Sequence, residues 1–285
     1  MIYKLDEEAF KNFKTDGICV LTSFVLDSSA INTYDKYFFM FIKSLVVTNN
    51  NNKISVLIIY NKESSIYIKY TLLSFKEAIS KSNIDIYLIE NIIFDHLIKN
   101  MDVYGEFSRA IVYRLLTPFL FPQVNKILWL DIDTMICDSL VPLYNKDISD
   151  YSFAGTKDID HMRDISYINS GVLLMNSVKI RDKYKTVENL IDTYINFKCS
   201  TDQQFIVRDN DFLLSEDITY NYPGFFNRLV LPFIDNPIYK NKLVKLAKET
   251  KIFHFYPKYE YTIYGQIIDI MKDNNQVFNE CVYWI

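Results

Sequence analysis

The sequence predicts a mixed α/β fold in which helices flank a mostly parallel central sheet. Three observations favour it. Short Ile-, Val- and Leu-rich runs alternate with longer segments of helical apolar spacing, as in βαβ units. The 285 residues are 49% hydrophobic and 23% charged, enough for a sizeable core and unlike a disordered chain. Two aspartates directly follow the fourth apolar run, the end at which such sheets bind ligands.

The first half supplies the regular alternation. Its apolar runs are predicted as strands over residues 18–23, 54–60, 84–89 and 126–130. Helical apolar spacing predicts the helices between them, over residues 34–48, 64–81 and 105–121.

The second half is more mixed. Residues 152–155 and 167–175 are predicted strands, and Ser177 is predicted to cap a helix that runs to about residue 197. Beyond about residue 210 the pattern weakens into short apolar pieces and turns, so we expect a less regular C-terminal third. Because no Ser-, Gly- or Pro-rich linker interrupts the chain, we predict one domain over residues 1–285. The residues expected on one face of the helix after Ser177 are Ile180, Tyr184, Val187, Ile191 and Tyr194.

Composition and charge exclude several classes of protein. The net charge of −4 and the pI of about 5.5 give no basic field for nucleic acid. No apolar run approaches the ~18 residues of a transmembrane helix, and the polar, acidic start is not that of a signal peptide. We therefore expect a cytoplasmic protein. The cysteines show no metal-ligand spacing and are predicted to be free, buried thiols: Cys19, Cys137, Cys199 and Cys281.

Asp131 and Asp133 carry the clearest chemical signal. They follow the apolar run of residues 127–130, with Ile132 between them. Side chains at i and i+2 of an extended chain point the same way, so the unpaired carboxylates would repel each other. A divalent cation such as Mn²⁺ or Mg²⁺ removes that repulsion and commonly bridges carboxylates to phosphates. The pair indicates a metal–diphosphate site; the structural alternative is two turn residues that cap the next segment.

A phosphatase is the rival interpretation. Haloacid-dehalogenase-type phosphatases also place D-x-D after a buried strand, with one aspartate as nucleophile and the other as acid–base. That family has Thr or Val two residues after the second aspartate, whereas this chain has Met135 there and Thr134 one residue early. The family motif also usually lies near the start of the chain.

The sequence around Asp131, YRLLTPFLFPQVNKILWLDIDTMICDSLVPLYNKDI, resembles the retaining glycosyltransferases of family 8, such as glycogenin and the lipopolysaccharide galactosyl- and glucosyltransferases. Further blocks follow in that family's order. The resemblance covers roughly residues 17–258 and implies the GT-A fold, with a nucleotide-sugar half (about 17–135), an acceptor- and metal-completing half (about 136–258) and a C-terminal tail (259–285). The later blocks are FAGTKD (153–158), YINSGVLLMN (167–176), STDQQ (200–204) and IFHF (252–255).

The resemblance implies a metal site and a donor. Asp131, Asp133 and His254 match the ligands of Mn²⁺, with Mg²⁺ as the alternative ion, which bridges the two phosphates of a UDP-sugar. A metal acts there as Lewis acid on the leaving UDP. Taken alone, His254 fits a core or edge histidine better than a metal ligand, and the family context reverses that preference.

The resemblance also implies a donor-binding set. Arg114 matches the arginine that reaches the nucleotide and its diphosphate, for which the guanidinium fork is suited; a surface ion pair is its alternative role. Thr22 and Ser23 match the uridine contacts, and Tyr34 matches the aromatic that stacks on uracil or else a core tyrosine. Asp158 matches a carboxylate that holds sugar hydroxyls and Asn169 a residue beside the donor sugar, with loop capping and strand-end hydrogen bonds as their alternative roles. The remaining members are Ile132 between the two aspartates, Lys258 at the β-phosphate, and Arg109 as a further candidate that could instead face solvent.

Asp202 and Gln203 match the pair near the anomeric carbon. Asp202 binds donor hydroxyls in this interpretation, and it is also a candidate N-cap for the next helix. An amide is a poor nucleophile, so we expect the leaving group to depart from the same face of the donor sugar that the acceptor attacks. We assign to the Gln203 carbonyl the stabilisation of the oxocarbenium-like centre that forms in between.

The implied activity is transfer of glucose or galactose from UDP-glucose or UDP-galactose to a hydroxyl of a glycan or glycolipid acceptor, with retention. After His254 the family's H-x-x-G-x-x-K-P-W becomes HFYPKY, without the glycine and with an early lysine. A non-catalytic sugar-nucleotide-binding relative is therefore a further alternative. The tail after residue 258 lacks the basic, aromatic character of membrane-docking members, which leaves peripheral membrane attachment open.

Overall fold

The strands form two sheets in the computed structural model, which describes residues 1–26, 31–99, 101, 109–157, 167–215, 217–223, 237–255 and 261–282. The larger sheet has eight strands within these residues, in the order β1-β4-β3-β2-β5-β8-β7-β9, and the smaller has the order β10-β11-β6. The strands are β1 (Ile2–Leu5), β2 (Ile18–Phe24), β3 (Ile54–Tyr60), β4 (Ile84–Glu90), β5 (Lys126–Leu130), β6 (Thr134–Ile136), β7 (Phe153–Lys157), β8 (Ile168–Asn176), β9 (Phe212–Ser215), β10 (Tyr222–Pro223) and β11 (Ile252–His254).

The larger sheet is mostly parallel, as predicted. Strands β1 to β5 pair in parallel with one another, whereas β8 runs antiparallel to both of its neighbours, β5 and β7. All seven residues of β3 are buried, because helices cover both faces. The helices are α1 (Glu7–Asn12), α2 (Ile31–Asn49), α3 (Ser65–Ser74), α4 (Lys76–Ser80), α5 (Ile92–Leu97), α6 (Tyr113–Leu120), α7 (Val141–Tyr144), α8 (Ser177–Tyr184), α9 (Val187–Asn196), α10 (Asp202–Asp209), α11 (Pro237–Glu249), α12 (Tyr261–Asn274) and α13 (Gln276–Cys281), with 3₁₀ turns at Arg109–Val112 and Ile218–Asn221.

The smaller sheet brings the late part of the chain to the end of β5. Strand β11 pairs antiparallel with β6, so that His254 lies opposite Thr134 and Phe253 opposite Met135. Beneath it an apolar cluster that includes Met135, Phe253 and Phe278 joins the C-terminal helices to this sheet. The register of β6 and β11 therefore fixes where His254 lies relative to the two aspartates.

The helix predicted from Ser177 to about residue 197 is two helices, and its predicted cap is wrong. The Asn176 side chain is the cap, because its oxygen accepts the backbone N–H of Lys179 at 3.1 Å. Helix α8 ends at Tyr184, because the following residue, Lys185, has a φ of 68° that interrupts the helix, and Thr186 then caps α9. The helix predicted over residues 64–81 is likewise divided, at Phe75, into α3 and α4.

Two regions contain elements that the pattern did not locate. Strand β1 and helix α1 precede the first predicted strand, and helices α11 to α13 lie in the C-terminal third. The four cysteines are buried and free, as expected. Among the described residues, no helix is both long and apolar enough to cross a bilayer.

Candidate active site

The turn between β5 and β6 places the two aspartates at the carboxyl end of a central strand. The backbone N–H of Asp131 donates to the carbonyl of Gly171 at 2.7 Å, which ties the turn to β8. The backbone N–H of Phe255 donates to the carbonyl of Asp133 at 2.8 Å, which ties it to the chain after β11. Both backbone attachments come from outside the turn, so the neighbouring segments fix the positions of the carboxylates.

Asp131, Asp133 and His254 come together at this turn. The His254 Nε2 atom lies 3.3 Å from Asp133 Oδ1 and 4.0 Å from Asp131 Oδ2. One ligand atom from each residue lies within 4.8 Å of the other two, close enough to share one metal ion. Two carboxylates and an imidazole are a donor set that divalent cations accept. These residues therefore fit the predicted metal site.

Burial makes the charged form of Asp133 costly. The Asp133 side chain is 13% exposed, and its burial raises the pKa of the carboxyl above the usual range, with His254 acting in the opposite direction. Asp131 adds a second negative charge that raises the pKa of Asp133 further. A cation between the three side chains would reverse this cost, because it favours the ionised carboxylates.

The Arg114 side chain connects two of the predicted site residues. Its Nη2 donates to Asp131 Oδ1 at 2.9 Å, and its Nε lies 3.1 Å from Asp202 Oδ2. The guanidinium also stacks on the Trp129 ring at 4.6 Å and donates to the carbonyl of Ser170. Since only 3% of the side chain is exposed, the alternative of a surface ion pair is wrong. Arg114 is a buried link between the end of β5 and the start of α10.

Asp202 and Gln203 begin helix α10. The helix is capped by Thr201, whose hydroxyl accepts the backbone N–H of Gln204 at 3.2 Å, so the alternative that Asp202 is the N-cap is wrong. Burial raises the pKa of the Asp202 carboxyl, and Arg114 opposes that shift. The Gln203 Nε2 atom donates to the carbonyl of Ile168 at 3.0 Å. This bond fixes the orientation of the amide, because a carbonyl can only accept.

Two site residues carried no functional signal in the sequence. The indole Nε1 of Trp129 donates to Asp131 Oδ1 at 2.7 Å, although Trp129 has the pattern of a core residue. Asn221 lies in a segment predicted only as a turn, and its Oδ1 is 3.0 Å from Nδ1 of His254. Its Nδ2 donates to Oδ1 of Asn169 at 2.8 Å, so Asn169 also belongs to this cluster. Only the three-dimensional structure reveals these three contacts.

The structure describes the side chains of four further predicted residues, Thr22, Ser23, Tyr34 and Ile132. Thr22 is fully buried in β2, and its hydroxyl has no hydrogen-bond partner among the described residues; Ser23 is partly buried in the same strand. Burial and the charges of the two aspartates raise the pKa of Tyr34, whose ring also packs at 6.1 Å from Tyr37. The Ile132 side chain lies in the core. Asp158 and Lys258 lie outside the described residues, and for Arg109 only the backbone is described, at the start of a 3₁₀ turn.

Gly171 makes room for the His254 ring. A Cβ atom at this position would lie 2.1 Å from Cε1 and 2.7 Å from Nδ1 of His254. We expect Gly171→Ala to displace the ring, to weaken Mn²⁺ binding in a titration, and to lower the free energy of unfolding by about 1–3 kcal/mol. Gly155→Ala is the matched control, because its Cβ would meet the Ile168 side chain at 2.9 Å instead. Equal Mn²⁺ affinity of the two variants would contradict the prediction.

Comparisons with known proteins agree with this fold. The family model described as "Glycosyl transferase family 8" matches residues 28–259. A search of the curated proteins found no match. Among solved structures, the bifunctional glycosyltransferase WbbM is 16% identical with a TM-score of 0.64, over 94% of this chain and 52% of its own. The chain thus spans about half the length of WbbM.

Two further solved structures are similar. The galactosyltransferase LgtC, in complex with donor and acceptor sugar analogues, is 16% identical with a TM-score of 0.61, over 90% of this chain and 96% of its own. The glycosyltransferase GlyE from Streptococcus pneumoniae is 15% identical with a TM-score of 0.60, over 93% of this chain and 63% of its own. At these identities the structural likeness shows a shared GT-A fold.

Proposed function

The chain belongs to glycosyltransferase family 8, and we propose that it transfers glucose or galactose from a UDP-sugar to a hydroxyl of a glycan or glycolipid acceptor, with retention and with dependence on Mn²⁺. The observation that carries this proposal is the convergence of Asp131, Asp133 and His254, each with a ligand atom within 4.8 Å of the others. Family membership argues against the phosphatase interpretation, which does not require a histidine from a distant strand.

The three ligands would hold the ion against the diphosphate of the donor. When bound, a divalent ion supplies Lewis-acid stabilisation of the charge that develops on the leaving UDP. Two hydrogen bonds orient the Asp131 carboxylate, because Trp129 and Arg114 both donate to its Oδ1. Its Oδ2 is the atom that lies toward His254. One carboxylate oxygen is thus held by the protein while the other faces the proposed ion, which supports Asp131 as a ligand that is oriented before the ion binds.

The orientation of Gln203 supports its assigned role. Because Nε2 donates to the carbonyl of Ile168, Oε1 lies on the opposite side of the amide. A carbonyl oxygen held in this way offers partial negative charge to an oxocarbenium-like centre without forming a stable covalent bond. Asp202, buried beside Arg114, would accept hydrogen bonds from donor hydroxyls.

The first test is release of UDP by the purified protein in the absence of acceptor. We would supply Mn²⁺ or EDTA with UDP-glucose, UDP-galactose, UDP-GlcNAc or GDP-mannose in parallel. Slow, Mn²⁺-dependent hydrolysis of UDP-glucose or UDP-galactose is the expected result, and it would name the sugar. Nucleotide binding without turnover of any donor would favour the non-catalytic relative, and hydrolysis of a simple phosphate ester alone would favour the phosphatase.

Gln203→Ala is expected to slow turnover by about 100-fold while it weakens donor binding far less. The reason is that the proposed contact strengthens only as charge develops at the anomeric carbon. Single-turnover rates and the donor Kd measure the two effects separately. Gln204→Ala is the matched control, since Gln204 Oε1 accepts from the N–H and hydroxyl of Ser200 and serves the loop before α10. Equal losses in rate and affinity for Gln203→Ala would make Gln203 a binding residue only.

A further inference from the structure

We propose that Asn221 is a positioning residue that holds the His254 ring in the tautomer required of a metal ligand. The inference rests on the metal site of the proposed function, but the hydrogen bonds that carry it are a property of the protein alone. Asn221 is the last residue of the 3₁₀ turn Ile218–Asn221 and only 2% of it is exposed. Its amide therefore needs partners inside the protein.

The direction of each hydrogen bond follows from one fixed donor. The backbone N–H of Gly171 donates to Oδ1 of Asn169 at 3.0 Å, and a backbone N–H can only donate. That bond identifies the Asn169 atom as the oxygen. Asn221 must then present its Nδ2 to the same oxygen, at 2.8 Å. The other end of the Asn221 amide, which faces His254 at 3.0 Å, is consequently its oxygen.

An amide oxygen can only accept, so the proton of the neutral His254 ring lies on Nδ1. In this neutral ring the Nε2 atom carries the lone pair, whereas the protonated ring, which has a proton on both nitrogens, donates from Nε2 to Asp133. This atom is 3.3 Å from Asp133 Oδ1 and 4.0 Å from Asp131 Oδ2, on the side where the three ligands converge. A metal binds only an unprotonated ring nitrogen, and the partner of the other nitrogen selects which one that is. Asn221 has the position of that partner.

Gly171 in strand β8 both begins this series of hydrogen bonds and leaves space for the His254 ring. Gly171 provides the N–H that orients Asn169, and it lacks the Cβ that would collide with His254. Strand β10, which begins directly after Asn221, pairs in parallel with β11, which ends at His254. Backbone pairing therefore sets the distance from Asn221 to the ring, and the amide sets the location of the proton.

Ring-nitrogen NMR tests the tautomer without any metal or substrate. The chain has three histidines, so ¹⁵N-histidine labelling gives few signals, and His254→Gln identifies the one of interest. In the metal-free protein at alkaline pH, we expect the His254 ring to carry its proton on Nδ1. Asn221→Asp loses the donor to Asn169 but keeps an oxygen that accepts from Nδ1, so it should preserve that state. Asn221→Ala removes this acceptor and should shift the ring toward the Nε2–H form. A wild-type ring protonated on Nε2 would overturn the proposal.

Mn²⁺ affinity tests the consequence for the site. We expect Asn221→Ala to weaken Mn²⁺ binding by about 10- to 100-fold, and Asn221→Asp to retain affinity near that of the wild type. Asn275→Ala is the matched control: Asn275 is also a buried asparagine, and its Nδ2 donates to the carbonyls of Ala247 and Thr250. It should lower stability and leave Mn²⁺ affinity unchanged.

The two readouts separate the possible failures. A wild-type protein with the Nδ1–H ring but no affinity for Mn²⁺ would refute the proposed metal site and leave the orientation of His254 by Asn221 standing. Undiminished Mn²⁺ binding in folded Asn221→Ala would overturn the positioning role. If Asn221→Ala does not fold, the wild-type tautomer and the Mn²⁺ affinity of Asn221→Asp still decide: loss of both Nδ1–H and affinity in Asn221→Asp refutes the proposal.

Discussion

Arg114→Met is expected to lower the free energy of unfolding of the metal-free protein by about 3–5 kcal/mol, the usual cost of removing one partner from a buried ion pair. Arg114 lies between two carboxylates, with N–O distances of 2.9 Å to Asp131 and 3.1 Å to Asp202, and Asp202 is itself almost fully buried. Methionine keeps an unbranched apolar stem against Trp129, so the loss reports mainly on charge. Denaturant-induced unfolding measures the difference.

A second substitution identifies the source of that loss. Asp202→Asn removes one of the two negative charges that Arg114 compensates. We therefore expect the double variant Arg114→Met with Asp202→Asn to be more stable than Arg114→Met alone, with a coupling free energy well above the roughly 0.5 kcal/mol seen for independent sites. Additive losses would show instead that Arg114 acts through its packing on Trp129.

Asp133→Asn is expected to abolish Mn²⁺-dependent binding of the UDP-sugar and to lower turnover by at least about 100-fold. The amide removes one of the two negative charges that would hold the cation, and loss of several kcal/mol of metal stabilisation corresponds to factors of this size. Turnover is measured as UDP release, and donor binding by calorimetry with and without Mn²⁺. Asp138→Asn is a matched control, because Asp138 is a half-exposed partner of Lys251. Unchanged turnover in Asp133→Asn would refute the metal assignment.

The same variant should leave the metal-free fold intact and change its pH dependence. Burial raises the pKa of Asp133 in the folded protein. A carboxyl whose pKa is raised in the folded protein adds to the free energy of unfolding. This stabilisation is fully present below the unfolded pKa of about 4 and is lost as the pH rises through the folded pKa. Relative to Asp133→Asn, the metal-free wild type should therefore lose stability between pH 4 and neutral pH. Thermal unfolding at both pH values, in EDTA, measures this difference.

The strands that carry the site could be predicted from the sequence for a definite physical reason. A strand covered on both faces is a continuous apolar run, so β3 and β5 stand out, and the aspartates after β5 mark its end. Strand β1 was not located because it is a short edge strand whose first three residues are exposed. The end of α8 depends on a positive φ at Lys185, which its residue type does not announce.

The supporting contacts of the site could not be predicted because they depend on distances between segments that are far apart in the sequence. Trp129 is indistinguishable from a core residue until its Nε1 is seen 2.7 Å from Asp131. Asn221 comes next to His254 only through the pairing of β10 with β11. The family resemblance located the three candidate metal ligands by motif, and the structure shows which neighbouring groups contact them.

The pairing of β6 with β11 has a thermodynamic consequence. An ion shared by Asp133 and His254 would close a long loop of sequence and act as a reversible cross-link between the central sheet and the C-terminal helices, which rest on the same cluster as Phe253. Binding of the ion to the folded protein alone would then raise the free energy of unfolding by about 2.7 kcal/mol when the free Mn²⁺ concentration is 100-fold above its Kd. Resistance of the C-terminal region to proteolysis should accordingly rise with free Mn²⁺ concentration, even in the absence of any sugar.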